Sequence, residues 1–344
     1  MKKIITILIL VIATSCSKVI IEENEPNTKK NNFEILWNDF DQHYSLFVIR
    51  DINWNDLYDR YQPQVNENQS DDELWTLFSN LLEHLDDSHT VMYDGNGNSY
   101  RSGYKLNKQS INEISKTLIE EKYIEEITTI SSEDDLLYSK IKNKNIGYIY
   151  LGTMDGSNPA VMDNVVAKLE AYDAIILDIR QNTGGEDRYS ARIAQSFSDG
   201  RHLVYTVQTR NGPNHNDFDS KTEYFTKFNN SNTYNKPVVV LTDRKTISAG
   251  EVFLLHMKAF NNVIQIGDTT AGDFSTLSNM RFLPNGWHYQ YSIQKFLLPN
   301  GESLDGIGHI PDVYVKNTEA DIKAGNDTVL DTAIQHLFNE FGIE

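Results

Sequence analysis

Pro237-Val238-Val239-Val240-Leu241 is an unbroken apolar run rich in β-branched residues, and soon after it Glu251 opens a helical run that reaches Phe260. A short apolar run bounded by polar residues reads as a buried strand, and a strand feeding a helix implies a crossover connection. The same alternation surrounds it. Ile146 to Leu151, Ala174 to Ile179, Leu203 to Thr209 and Val263 to Ile266 are further strand candidates, separated by helical stretches. From residue 145 to 344 the pattern therefore predicts an α/β domain built on crossovers. Trp287 to Leu298, between Pro284-Asn285-Gly286 and Pro299-Asn300-Gly301, reads as hairpin strands.

Upstream the period changes. Phe33, Leu36, Trp37 and Phe40 repeat at helical spacing, and Asn53 can cap a short helix from Trp54 to Tyr61. Ser70-Asp71-Asp72-Glu73 has capping-box form, and Leu74, Leu77, Phe78, Leu81, Leu82 and Leu85 lie on one face. Residues 32–93 thus read as a small helical subdomain, and 94–144 as a connecting segment with a helix near Ile111 to Glu121.

The N-terminus has its own logic. Met1-Lys2-Lys3 precedes the apolar run Ile4 to Ala13, which is too short for a permanent membrane span and reads as a secretory signal. It closes on Ala13-Thr14-Ser15-Cys16 and resembles the bacterial lipoprotein signal, in which cleavage before Cys16 exposes that residue for acylation. Residues 1–15 are then the signal and 16–31 a solvated tether, which would hold the protein on the bacterial cell envelope.

Composition narrows the partners. The 344 residues carry 49 acidic against 31 basic side chains, a formal charge of -18, so a nucleic-acid backbone would be repelled. One cysteine excludes a disulfide framework and any Cys-rich metal site, and no metal or organic cofactor is indicated.

Four stretches could carry chemistry. Ser248, in Thr246 to Glu251, sits at a strand-to-helix junction, where unpaired N–H groups such as that of Ala249 can stabilise an oxyanion. Taken alone it is an ordinary serine near a helix cap. Leu177 to Gly185 is a strand opening into Gly184-Gly185, where the absent Cβ lets backbone amides approach a ligand. His89, in Asp86-Asp87-Ser88-His89-Thr90, can act as a base if a carboxylate fixes its tautomer, although a lone histidine is more often structural. Asp305, in Leu304 to Asp312, lies in a glycine-rich turn that by itself is only a turn.

Together and in this order the stretches resemble the carboxy-terminal processing and tricorn-core serine peptidases. The resemblance runs over Asp51 to Trp54, Leu82 to Thr90, Ile176 to Gly185, Thr246 to Glu251, Ile266 to Gly272 and Pro299 to Asp312. It implies a crotonase-like α/β catalytic domain preceded by the helical subdomain. Ser248 matches the family nucleophile, and Gly184 or Gly185 with the Ala249 amide matches the oxyanion hole. Where the processing branch places a lysine base this chain has Asp273, so the resemblance implies the tricorn-like arrangement, with Ser88-His89 supplying the base and Asp305 at the position of an orienting glutamate. Arg180 and Asp312 read as structural. The span from Thr90 to Asn145 is too short for the peptide-binding domain that many members insert there.

The function expected is a lipid-anchored serine endopeptidase acting on extended or unfolded polypeptides. A non-catalytic lipoprotein that binds peptides or apolar ligands on the same fold is the alternative, since fold alone does not certify activity.

Overall fold

A computed structural model describes residues 25–103, 114–131, 135–228 and 233–343. Cys16 and the signal reading lie outside the described residues, as does the start of the helix expected near Ile111; among those described, helical turns occupy Lys116–Leu118 and Ile119–Tyr123. No helix among the described residues is long and apolar enough to cross a membrane.

The fold is mixed α/β around a central sheet. Its parallel part comprises β5 (Ile146–Leu151), β6 (Ala174–Asp178), β9 (Val238–Thr242) and β10 (Val263–Gly267), with β3 (Ile124–Ser131), β4 (Leu136–Ile141) and β14 (Val313–Tyr314) completing seven strands. The order is β14-β10-β9-β6-β5-β4-β3; the pairs from β14 to β5 are parallel, and β4 and β3 are added antiparallel. Strands buried on both faces need no polar alternation, which is why β5, β6 and β9 read as near-continuous apolar runs.

Side-chain parity then assigns the faces. Ile149, Leu151, Ile175, Leu177, Val238 and Val240 meet α4 (Val161–Leu169), α5 (Asp187–Ala194) and α6 (Ala249–Met257). Tyr148, Ile176, Val239 and Leu241 point the other way, onto α7 (Thr328–Phe341) through Val329, Leu330, Ala333 and Leu337. Each face hides its apolar set from water, the main favourable term in such a stack. Residues 94–144, expected only as a connector, thus contribute β3 and β4 to the main sheet.

The helices α1 (Lys29–His43), α2 (Trp54–Tyr61) and α3 (Asp71–Glu83) form where the periodicity places them. Asn53 accepts the Asp56 N–H, and Ser70 and Glu73 make the reciprocal capping box. Their shared core, centred on Phe33, Phe40, Trp54, Phe78 and Leu82, is completed by Leu283, Trp287, Tyr289 and Tyr291 from far along the chain. β1 (Val91–Tyr93) pairs with β2 (Ser99–Arg101) and with β12 (His288–Gln290), so chain from both halves closes this layer.

The hairpin reading of Trp287 to Leu298 needs correction. β12 turns back on β11 (Arg281–Phe282) across Pro284-Asn285-Gly286, whereas β13 (Gln294–Leu297) leaves for a second small sheet and pairs with β7 (Leu203–Thr209), which in turn pairs with β8 (Thr222–Phe225). Two strands continuous in sequence are split because Tyr289 and Tyr291 belong to the helical layer and Phe296 to a cluster with Val204, Tyr205 and Val207. Ser248, at the N-terminus of α6, faces the space between these layers.

Candidate active site

The site begins with one strained residue. Ser248 has φ +56 and ψ -124, a combination that costs a non-glycine residue on the order of 1–3 kcal/mol and survives only where its surroundings fix it. The Ser248 N–H donates to Glu251 Oε2 at 3.2 Å. Ile247 N–H donates to the Asn182 carbonyl at 3.1 Å, tying the serine loop to the turn that ends β6.

Glu251 does more than cap its helix. It is fully buried, and its carboxylate also accepts the Gly272 N–H at 2.8 Å, the Asp273 N–H at 2.9 Å and the Thr270 hydroxyl at 2.5 Å. One side chain thereby joins the serine backbone to the 270–273 loop. Burial pushes its carboxyl up to about 7, against the pull of these hydrogen bonds.

The glycine turn lies under the serine. A Cβ on Gly184, at φ +80, would stand 2.8 Å from the Ser248 Cβ, so only glycine lets the two loops meet. The Gly184 N–H is already given to Asn182 Oδ1 at 3.0 Å. Among the described residues the N–H groups of Gly185 and Ala249 have no acceptor. Of the two glycines expected to supply an oxyanion donor, it is Gly185 that keeps its amide open.

His89 comes from the turn after α3, where the His89 N–H donates to Asp87 Oδ1 at 3.0 Å. Its Nε2 lies 3.2 Å from Ser248 Oγ, and its Nδ1 lies 3.2 Å from Asp273 Oδ1. Serine, imidazole and carboxylate thus form one chain of hydrogen-bond distances, although residues 89, 248 and 273 are far apart in sequence. Asp273 is held in turn by the Ser88 N–H at 2.9 Å and by the Ser88 hydroxyl.

Here the sequence reading is corrected. Asp305, expected against the imidazole, instead accepts Arg50 Nε at 2.6 Å and the Phe274 N–H at 3.0 Å. The shorter aspartate stands behind the Asp273 loop, and Asp273 takes the contact with the ring. Burial pushes Asp305 up to about 7, with the Arg50 charge pulling the other way. Arg50, Asp273 and Glu251 were not foreseen in these roles. The block Gly267 to Asp273 was the available signal, because it ends in a carboxylate close after the serine helix. Arg180 fits its structural reading: buried, it pairs with Asp178 and with Asp327 at the start of α7. Asp312 bonds the Gln265 N–H and Lys258 at the sheet edge.

Arg50 holds the carboxylate cluster together. Its guanidinium is 7% exposed, reaches Asp273 Oδ1 at 3.5 Å as well as Asp305, and donates to the carbonyl of Asp86. Arg50→Met would leave Asp305 and Asp273 without their buried cation, and removing one partner from a buried pair costs about 3–5 kcal/mol. Urea unfolding should show that loss, larger at pH 8 than at pH 6, because protonating Asp305 at the lower pH removes one uncompensated charge.

The imidazole is tuned upward. Burial alone would lower the pKa of His89, but the charges and hydrogen bonds of Asp273 and Asp87 raise it well above the ordinary 6.5. A histidine that accepts a proton must first be neutral, so its work begins only as pH rises past that raised value. The kcat/KM of the protein should therefore fall on the acid side through a pKa above 6.5, and Asp273→Asn should move that limb downward.

Ser248 and His89 open onto a cleft of about 1210 Å³ that also touches Gly185, Asp187, Tyr205 and Phe296. A half-buried serine opening on a cleft, with an imidazole, an orienting carboxylate and two free amides, is a set suited to acyl transfer.

Comparisons with known proteins give the family. Residues 145–315 match peptidase family S41, and residues 26–83 match the tricorn protease C1 domain. A carboxy-terminal processing protease of Bacillus subtilis is 26% identical over 181 residues, which is 52% of this chain but only 37% of that one. A crystal structure from Parabacteroides merdae is 28% identical with a TM-score of 0.83, covering 91% of this chain and 97% of the other. The structure of mature CPAF, at 11% identity, TM-score 0.69 and coverage of 92% and 99%, shares the fold.

Proposed function

Because the chain belongs to peptidase family S41, a family of serine-type peptidases, we propose that it is an endopeptidase acting on extended or unfolded polypeptides through an acyl-enzyme on Ser248. The observation that carries this reading is the continuous path from Ser248 Oγ through His89 to Asp273. Ser248 attacks the scissile carbonyl while His89 Nε2 takes its proton. Asp273 keeps the other ring nitrogen protonated and stabilises the imidazolium. Gly185 and Ala249 donate their N–H groups to the oxyanion. The imidazolium then protonates the departing amine, and water activated by the same ring releases the acyl group.

An open cleft lined by the edge strand β8 suits a chain in extended form, which a folded domain would not offer. We read the parallel strands β5, β6, β9 and β10 with their crossover helices as the crotonase-like core. The lone Cys16 after a short apolar run supports lipid attachment at the outer side of a bacterial membrane.

The test is digestion of unfolded casein by the purified protein beside Ser248→Ala, followed by intact-mass spectrometry. Cleavage by the parent and not by the variant is expected. Equal cleavage by both would refute the assignment of the nucleophile, and no cleavage of any unfolded chain would favour a binding protein.

A further inference from the structure

Asp187 is a carboxylate that the mechanism above does not use. It lies in the first turn of α5, two residues beyond Gly185, and lines the same cleft as Ser248 and His89. Among the described residues it makes no hydrogen bond and no ion pair, and the only charges that act on it are those of His89 and Glu186. Two of the cations around the cleft are engaged elsewhere: Arg192 pairs with Asp163, and the Arg201 guanidinium rests 3.5 Å from the centre of the Phe225 ring. Burial pushes its carboxyl up to about 6, with the His89 charge pulling the other way.

Its surroundings are aromatic. Tyr205 lines the same cleft, and its hydroxyl is raised first by burial and then by the charge of Asp187. Tyr224 stacks on Tyr205 at 4.7 Å and Phe296 at 5.3 Å. Behind them His256, kept neutral by burial, presents an unpartnered Nε2 and does not repel a cation.

A carboxylate with no hydrogen bond or ion pair of its own, in a cleft lined by aromatic faces, asks for a long apolar stem with a cationic head. Resting on the peptidase reading, we infer that this cleft receives a lysine or arginine side chain next to the scissile bond, and that Asp187 is the residue that selects it. Acidic side chains meet Asp187 and Glu186 together and are rejected. Small apolar ones leave the carboxylate unpaired and gain little.

The test uses the full chain and a set of peptides that differ only in the residue beside the cleavage point: lysine, arginine, leucine or glutamate. Cleavage sites are mapped by mass spectrometry, and kcat and KM are measured for each. A charge-assisted contact corresponds to about 10- to 100-fold in kcat/KM, so the parent should favour the basic peptides over leucine by that factor. Asp187→Asn should erase the preference through KM, with the loss falling on the basic peptides. Asp187→Glu should restore part of it, and Asp187→Lys should turn the preference toward glutamate. Cleavage with no basic preference, or an equal loss for every peptide in Asp187→Asn, overturns this inference and leaves the peptidase reading standing. Failure of the parent to cleave any peptide overturns both.

Discussion

Replacing Ser248 or His89 by alanine is expected to reduce turnover by about 10⁴-fold or more in each case, with the double variant little worse than either single one. Members of a nucleophile–base unit act together, so removing one removes nearly the whole covalent route. The geometry gives the reason. Ser248 Oγ has His89 Nε2 at 3.2 Å, and without that ring the hydroxyl has no base to take its proton. Stopped assays on an unfolded substrate would check this, with unfolding curves to show that the folds are intact. Ser248→Ala should be almost as stable as the parent, because the strained φ is fixed by Glu251 and the Asn182 loop and not by the hydroxyl.

Asp273→Asn is expected to lower kcat by about 10⁴-fold, since an amide in place of the orienting carboxylate stabilises the wrong tautomer of the base. Asp273 is also the partner that raises His89, so the residual activity should have its acid limb at lower pH. Asp305→Asn should cost less turnover. Asp305 touches Arg50 and the Phe274 amide and reaches the imidazole only by way of the Asp273 loop. The ranking of these two variants in kcat separates the carboxylate seen at the ring from the one expected there. If Asp305→Asn were the more damaging, the ring would have to turn toward Asp305 when substrate binds.

What was legible in the sequence follows from what local pattern encodes. The inner strands announce themselves because burial on both faces demands continuous apolar residues, and Ile146–Leu151, Ala174–Asp178 and Val238–Thr242 are such runs. Ser70 and Glu73 announce the start of α3 because a capping box is a local device. The edges of the fold were harder to read. β3 carries Glu125, Glu126, Thr128 and Thr129, which leave it looking like connector until its pairing with β4 supplies the reason for its extension.

At the site, Ser248, His89 and the double glycine each sit at a boundary between a strong element and a turn, and it is their order along the chain, not any one of them, that picks them out. Arg50 could not be picked out, since a lone arginine closing the apolar run Leu46 to Ile49 reads as the polar end of that run until residues 85, 272, 273 and 305 are folded around it. The exchange of Asp305 for Asp273 has a similar origin. Sequence order placed an acid near the last turn, but only the three-dimensional loop tied down by Glu251 decides which acid meets the ring.

The most direct test of the central claim is to label the full chain with a fluorophosphonate and locate the adduct by peptide mass spectrometry. A single adduct on Ser248 is expected, formed faster above the raised pKa of His89 and lost in His89→Ala. An adduct on another residue, or labelling of Ser248 that is indifferent to His89, would contradict it.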